Sequence, residues 1–208
     1  MGKQLDILFI HPNASKRIYQ DLAKDFSAIE PPIWAGMLTS HCLARGFGAE
    51  ILDCEALHLT EEESAQKIKE YNPRVACLVV YGQQPSASSQ NMAGAVALAD
   101  EIKRLAPDLK ILFVGGHIAA LPSEVLKNHS SIDFVCQNEG VYTISTLLKT
   151  NLNDDLEKVL GLGFRKDGGI VLNPPSPIVA KADLPVDLPG IAWDKLPIKK
   201  QVMNMAPK

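Results

Sequence analysis

Between residues 5 and 149 the sequence alternates short, apolar, β-branched runs with longer amphipathic stretches, separated by brief polar segments. That alternation constrains the chain more than any single motif. Strands that read as near-continuous apolar runs are buried on both faces, so helices must cover both sides of the sheet. The pattern predicts a doubly wound, five-stranded parallel α/β sheet with strands over 5–10, 49–53, 74–81, 110–114 and 132–136. Pro31 and Pro32 suit the first turn of a helix whose inner face carries Trp34, Met37, Leu38 and Cys42. Thr60 with Glu63 reads as a capping box. Residues 90–106 place Met92, Ala95, Val96, Ala99 and Ile102 on one helical face. A short helix is predicted near Pro122, and a last one over 141–149.

After Thr150 the pattern changes. Apolar runs at 160–165 and 170–172 flank Lys166-Asp167-Gly168-Gly169, a hairpin signal. From Asn173 onward prolines recur, and the tail reads as extended and linker-like. The predicted organisation is therefore a Rossmann-like domain over 1–150, a β-hairpin extension over 151–175 and a proline-rich linker over 176–208.

Charge narrows the function. A net charge of −3 without any basic run argues against a nucleic-acid partner, because phosphate binding needs clustered Lys and Arg. The apolar runs are strand-sized, so no membrane span is predicted, and a cytoplasmic location is expected. The four cysteines, Cys42, Cys54, Cys77 and Cys136, show no CxxC or CxxxCxxC spacing and read as buried thiols rather than metal ligands.

In a doubly wound sheet a ligand sits at the carboxyl ends of the strands, by the topological switch point. The loops ending there span 11–17, 82–90, 115–119 and 137–140. They are rich in small and amide-bearing residues and poor in charge. The first holds no glycine, so neither a P-loop nor a dinucleotide fingerprint is present. Gly115-Gly116 offers bare backbone, and Ser86, Ser88, Gln90 and Asn91 can exchange hydrogen bonds without adding charge. Such a rim suits a large, neutral, amide-decorated ligand better than a polyanion. No nucleophile triad or carboxylate pair can be argued from spacing.

Several ordered pieces of the chain resemble the cobalamin-binding domain of cobalamin-dependent radical S-adenosylmethionine (SAM) enzymes. They are Pro12-Asn13, Pro31-Pro32, Arg45-Gly46-Phe47, Gly82 through Ser88, Val114-Gly115-Gly116-His117, Asn138-Glu139-Gly140, Gly161-Leu162-Gly163-Phe164-Arg165, Asn173-Pro174-Pro175 and Ala192-Trp193-Asp194-Lys195-Leu196-Pro197. The resemblance implies a flavodoxin-like domain that holds cobalamin over the strand ends. Its implied contacts are Pro12, Asn13, Gln83, Ser86, Ser88, Gln90, Gly115, Gly116, His117, Glu139 and Gly140. It also implies a radical SAM catalytic domain on the same polypeptide, with cobalamin usually carrying a methyl group. SAM and a [4Fe–4S] cluster would belong to that domain, since the CxxxCxxC motif is absent from this sequence. The chain alone is therefore expected to be inactive. The DxHxxG motif that places a histidine beneath cobalt in other carriers is absent too, so no histidine ligand to the metal is expected, although His11 lies close by. The rival reading is a non-catalytic flavodoxin-like sensor module that binds a flavin or nucleotide.

Overall fold

In Leu5–His11, the first strand (β1), successive side chains point to opposite faces. Ile7 and Phe9 enter one core and Leu8 and Ile10 the other, all at 0% exposure. Pro73–Val79 (β3) repeats the division, with Val75 and Cys77 on the first side and Ala76 and Leu78 on the second. This two-sided burial is why these segments lack polar alternation. The computed structural model describes residues 4–14, 30–82 and 85–198.

The sheet has seven strands in the order β2-β1-β3-β4-β5-β6-β7. Ala49–Asp53 (β2), Lys110–Val114 (β4) and Phe134–Cys136 (β5) join β1 and β3 in the parallel part. Leu162–Lys166 (β6) and Gly169–Leu172 (β7) continue the sheet antiparallel. The predicted hairpin is thus part of the one sheet. Asp167 and Gly168, with φ of 50° and 78°, make its two-residue turn, since both central positions of the twist-matched turn need positive φ.

One face of the sheet is covered by Ile33–Ala44 (α1) and Val141–Leu147 (α6), the other by Glu61–Tyr71 (α2), Pro85–Leu105 (α3), Gly116–Ala120 (α4) and Pro122–Asn128 (α5). The capping box of α2 is present: Thr60 Oγ1 accepts from Glu63 N at 3.2 Å while Thr60 N donates to Glu63 Oε2 at 2.9 Å. The third helix begins at Pro85, five residues before the predicted start. Proline fits a first turn because its missing N–H is not needed there.

The tail follows an extended course but is packed. Asn173 donates to the carbonyls of Leu156 and Val159, and Ala192 N donates to Gly36 O. A Cβ on Gly36 would lie 2.4 Å from Ile191 Cγ2, so glycine is what admits the tail against α1. Ala192 and Leu196 are buried, and Lys195 pairs with Glu50 on β2 at 2.7 Å. The tail, which includes the short helix Leu184–Asp187 (α7), therefore straps the α1/α6 face from the β6 side to β2. Among the described residues, no helix is long and apolar enough to cross a membrane.

Candidate functional site

The parallel strand order 2-1-3-4-5 reverses direction between β1 and β3, which puts the crevice at their carboxyl ends. At the β1–β2 end of this rim, parallel register sets His11 opposite Asp53. His11 Nδ1 lies 3.1 Å from Asp53 Oδ1, and Nε2 lies 3.8 Å from Glu55 Oε2. Burial, the largest effect on this imidazole, opposes its charge. The Asp53 hydrogen bond and the two carboxylates outweigh it and hold His11 above its usual range. Burial, with Asp53 beside it, also lifts Glu55. Asp53 accepts from Ala56 N as well, so the carboxylate organises the turn that follows β2. Both ring nitrogens of His11 thus face carboxylates.

From β3 to β5 the rim changes character. Among the described residues of 80–91, 115–119 and 137–141, Glu139 is the one formally charged side chain. Ser88 is 1% exposed, and its hydroxyl donates to Val80 O at 2.5 Å while accepting from His117 N at 2.9 Å. It staples the end of β3, the first turns of α3 and the turn after β4 together. A Cβ on Gly115 would come within 2.2 Å of Val80 O, so that glycine serves the backbone approach of two strands. Gly116 is exposed, with nothing nearer to its Cβ position than Ser88 at 3.7 Å. The bare backbone of the pair is therefore Gly116. His117 is half-buried beside it, its Nδ1 2.9 Å from the hydroxyl of exposed Ser89.

The other predicted residues spread along the same rim. Pro12 is buried, and Asn13 donates to Leu59 O at 3.2 Å. The loop they belong to lies on α3, where a Cβ on Gly94 would sit 3.0 Å from Ala14 Cα. Gln90 is exposed on α3. Ser86 lies in the first turn of α3 rather than in a loop, and Gln83 lies outside the described residues. Glu139 is half-buried, and Gly140 takes the left-handed conformation, φ 79°, that starts α6.

Three features escaped the sequence reading. Trp34 and Tyr81 stack with ring centroids 4.6 Å apart, walling the crevice on the α1 side. Burial, with smaller contributions from Cys136 and Glu139, raises the Tyr81 phenol and keeps it neutral. Ser89, not Ser88, is the exposed hydroxyl. The Asp53 carboxylate gives His11 its partner; the signal was a charged residue closing an apolar run, readable only with the register of β1 against β2. Burial pushes the thiols of Cys42 and Cys54 up to about 12 and those of Cys77 and Cys136 well above their ordinary value. Such thiols stay protonated and inert. A cleft of about 430 Å³ lies at the opposite pole, by the amino end of β3, lined by Lys69, Asn72, Arg74 and Pro107 among others, and shares no residue with the rim.

A doubly wound 2-1-3-4-5 sheet with a largely uncharged carboxyl rim defines a flavodoxin-like ligand-binding domain. The sequence model of the B12 binding domain matches residues 19–148, more than half of the chain, and the chain belongs to that family. It is 26% identical over 171 residues to the anaerobic magnesium-protoporphyrin IX monomethyl ester cyclase of Synechocystis sp., an alignment covering 82% of this chain and 32% of the cyclase. It is 24% identical over 178 residues to an uncharacterized methyltransferase of Pyrococcus horikoshii, covering 85% of this chain and 36% of that protein. The chain thus spans about a third of the length of these curated relatives. The fold is similar to that of the radical SAM methyltransferase TsrM from Kitasatospora setae (TM-score 0.66, 18% identity, 84% of this chain and 31% of that one). It is likewise similar to OxsB, a cobalamin-dependent SAM radical enzyme solved with aqua-cobalamin and SAM bound (TM-score 0.69, 16% identity, 97% and 26%). At such identities the likeness is one of fold.

Proposed function

We propose that this chain binds cobalamin non-covalently across the carboxyl rim and serves as the cobalamin-holding part of a radical SAM enzyme that transfers methyl groups. The observation that carries this reading is the charge-poor rim from β3 to β5, set at the switch point of a B12 binding domain fold. Neutral amide side chains of a corrin ask for backbone and hydroxyl partners, not counter-charges. Exposed Gly116, Ser89 and Gln90 and half-buried His117 supply them, with Asn13 and Glu139 on the flanking loops. Ser88 and Gly115 act one step back, by fixing the turn that presents Gly116. The Trp34–Tyr81 stack gives the crevice a dry wall.

His11 is committed to Asp53 and Glu55. The sequence holds no DxHxxG motif, and no histidine of this chain is assigned to the metal. When bound, cobalamin would supply a cobalt centre able to carry a methyl group; the chain's rim residues would hold and orient it. The inert buried cysteines support placing SAM and the [4Fe–4S] cluster on another part of the enzyme.

Mixing the purified chain with hydroxocobalamin and desalting tests the reading. The expected result is a coloured protein retaining about one equivalent. A colourless protein would overturn it.

A further inference from the structure

Residues 173–198 lie outside the stretch matched by the B12 binding domain model, yet they hold one of the rim turns. The turn is Glu139-Gly140, between β5 and α6, and tail contacts bracket it. On its β5 side, Asn138 Nδ2 donates to Ser176 O at 2.6 Å and Gln137 Nε2 donates to Asn173 O at 2.7 Å. On its α6 side, Tyr142 donates its hydroxyl to the Asp187 carboxylate. The other carboxylate oxygen of Asp187 accepts from Arg45 at the end of α1, and the Asp187 carbonyl accepts from His41 Nδ1 at 2.6 Å. A carbonyl only accepts, so His41 carries its proton on Nδ1.

Asp187 is thus one residue tied to two helices through both carboxylate oxygens and its backbone. The Tyr142 hydroxyl, then the Arg45 guanidinium, hold its carboxyl below the usual range, and the Tyr142 phenol is pushed up to about 12. At neutral pH the donor and acceptor roles are therefore fixed. The turn they frame cannot absorb a displacement locally. A Cβ on Gly140 would lie 2.9 Å from Val114 Cγ2, 3.1 Å from Ile144 Cδ1 and 3.3 Å from Cys136 Sγ, so its inner side is filled by β4, α6 and β5. A shift of Asp187 passes through Tyr142 to the start of α6 and so to Gly140 and Glu139.

We infer that Asp187 is a positioning residue for cofactor binding: through Tyr142 it lets the tail set the Glu139-Gly140 side of the rim. The inference rests on the reading that this rim holds cobalamin. It makes the tail part of the binding unit. The Lys195–Glu50 pair, on the same strap but against β2, supplies the control.

The test titrates the full chain with hydroxocobalamin well below the unfolding transition, where a loss of about 2 kcal/mol leaves nearly every molecule folded. Asp187→Asn and Tyr142→Phe are expected to raise the Kd at least about fivefold, as coupling between separate sites does. The double variant should be no weaker than the worse single, because both cut one connection. Lys195→Met should lower the melting temperature yet hold the Kd within about twofold. Should Asp187→Asn fail to fold, Tyr142→Phe carries the test, since it leaves the Arg45 pair intact. Parental Kd values in both Asp187→Asn and Tyr142→Phe, or equal weakening by Lys195→Met, overturn the inference alone. Failure of the parent chain to bind overturns the cobalamin reading and this inference with it.

Discussion

At the β1–β2 end of the rim one histidine stands between two carboxylates, whereas from β3 to β5 the described positions carry glycine, serine, amides and a single glutamate, Glu139. The two ends limit charge by different physics. The first sets one imidazole against two carboxylates, at 3.1 Å and 3.8 Å, and uses Asp53 to fix the turn after β2. The second is charge-poor and satisfies its buried hydroxyl within the protein. The first should therefore respond to pH, and the second to added volume.

The largest effect belongs to the uncharged end. Gly115→Ala puts a methyl 2.2 Å from Val80 O, where strand backbone must give way. A loss of about 3 kcal/mol or more is expected in urea unfolding; parental stability would show that the two strands are not locked together there. Next comes Asp53→Asn, which leaves His11 without its charged partner in a buried setting and should cost about 2 kcal/mol. The third prediction concerns pH. His11 has a folded value above the 6.5 of the unfolded chain, so its pairing stabilises fully below 6.5 and is lost as pH rises through the folded value. Unfolding midpoints should fall across that window in the parent and stay nearly level in Asp53→Asn; equal slopes would end the distinction between the two ends. The smallest effect is expected at Gly116→Ala, whose methyl meets Ser88 only at 3.7 Å, so stability should hold within about 0.5 kcal/mol. Hydroxocobalamin affinity should nevertheless drop, because in the proposed site that backbone faces the ligand; unchanged affinity would move the contact elsewhere.

The parallel sheet was legible because each strand is buried on both sides, which leaves an unbroken apolar run such as that of β3. Helix ends were less so. The start of α3 at Pro85 was masked by small polar residues that read equally well as a loop, and Ser88 looked like a ligand contact until its hydroxyl was found spent on Val80 and His117. Neighbouring strand ends hide their partners as well: His11 and Asp53 meet only through parallel register. The tail was least legible. Leu184-Pro185-Val186-Asp187 carries no periodicity, and Asp187 finds Arg45 and Tyr142 through contacts that no local pattern encodes.

The antiparallel hairpin has a consequence for self-association. Without it β5, only three residues long, would expose unpaired backbone groups right beside the carboxyl rim, an open template for another chain. With β6 and β7 added, that template is displaced by two strand spacings, roughly 10 Å. Any docking of a foreign strand on this side then meets the outer face of the hairpin and leaves the mouth of the crevice clear.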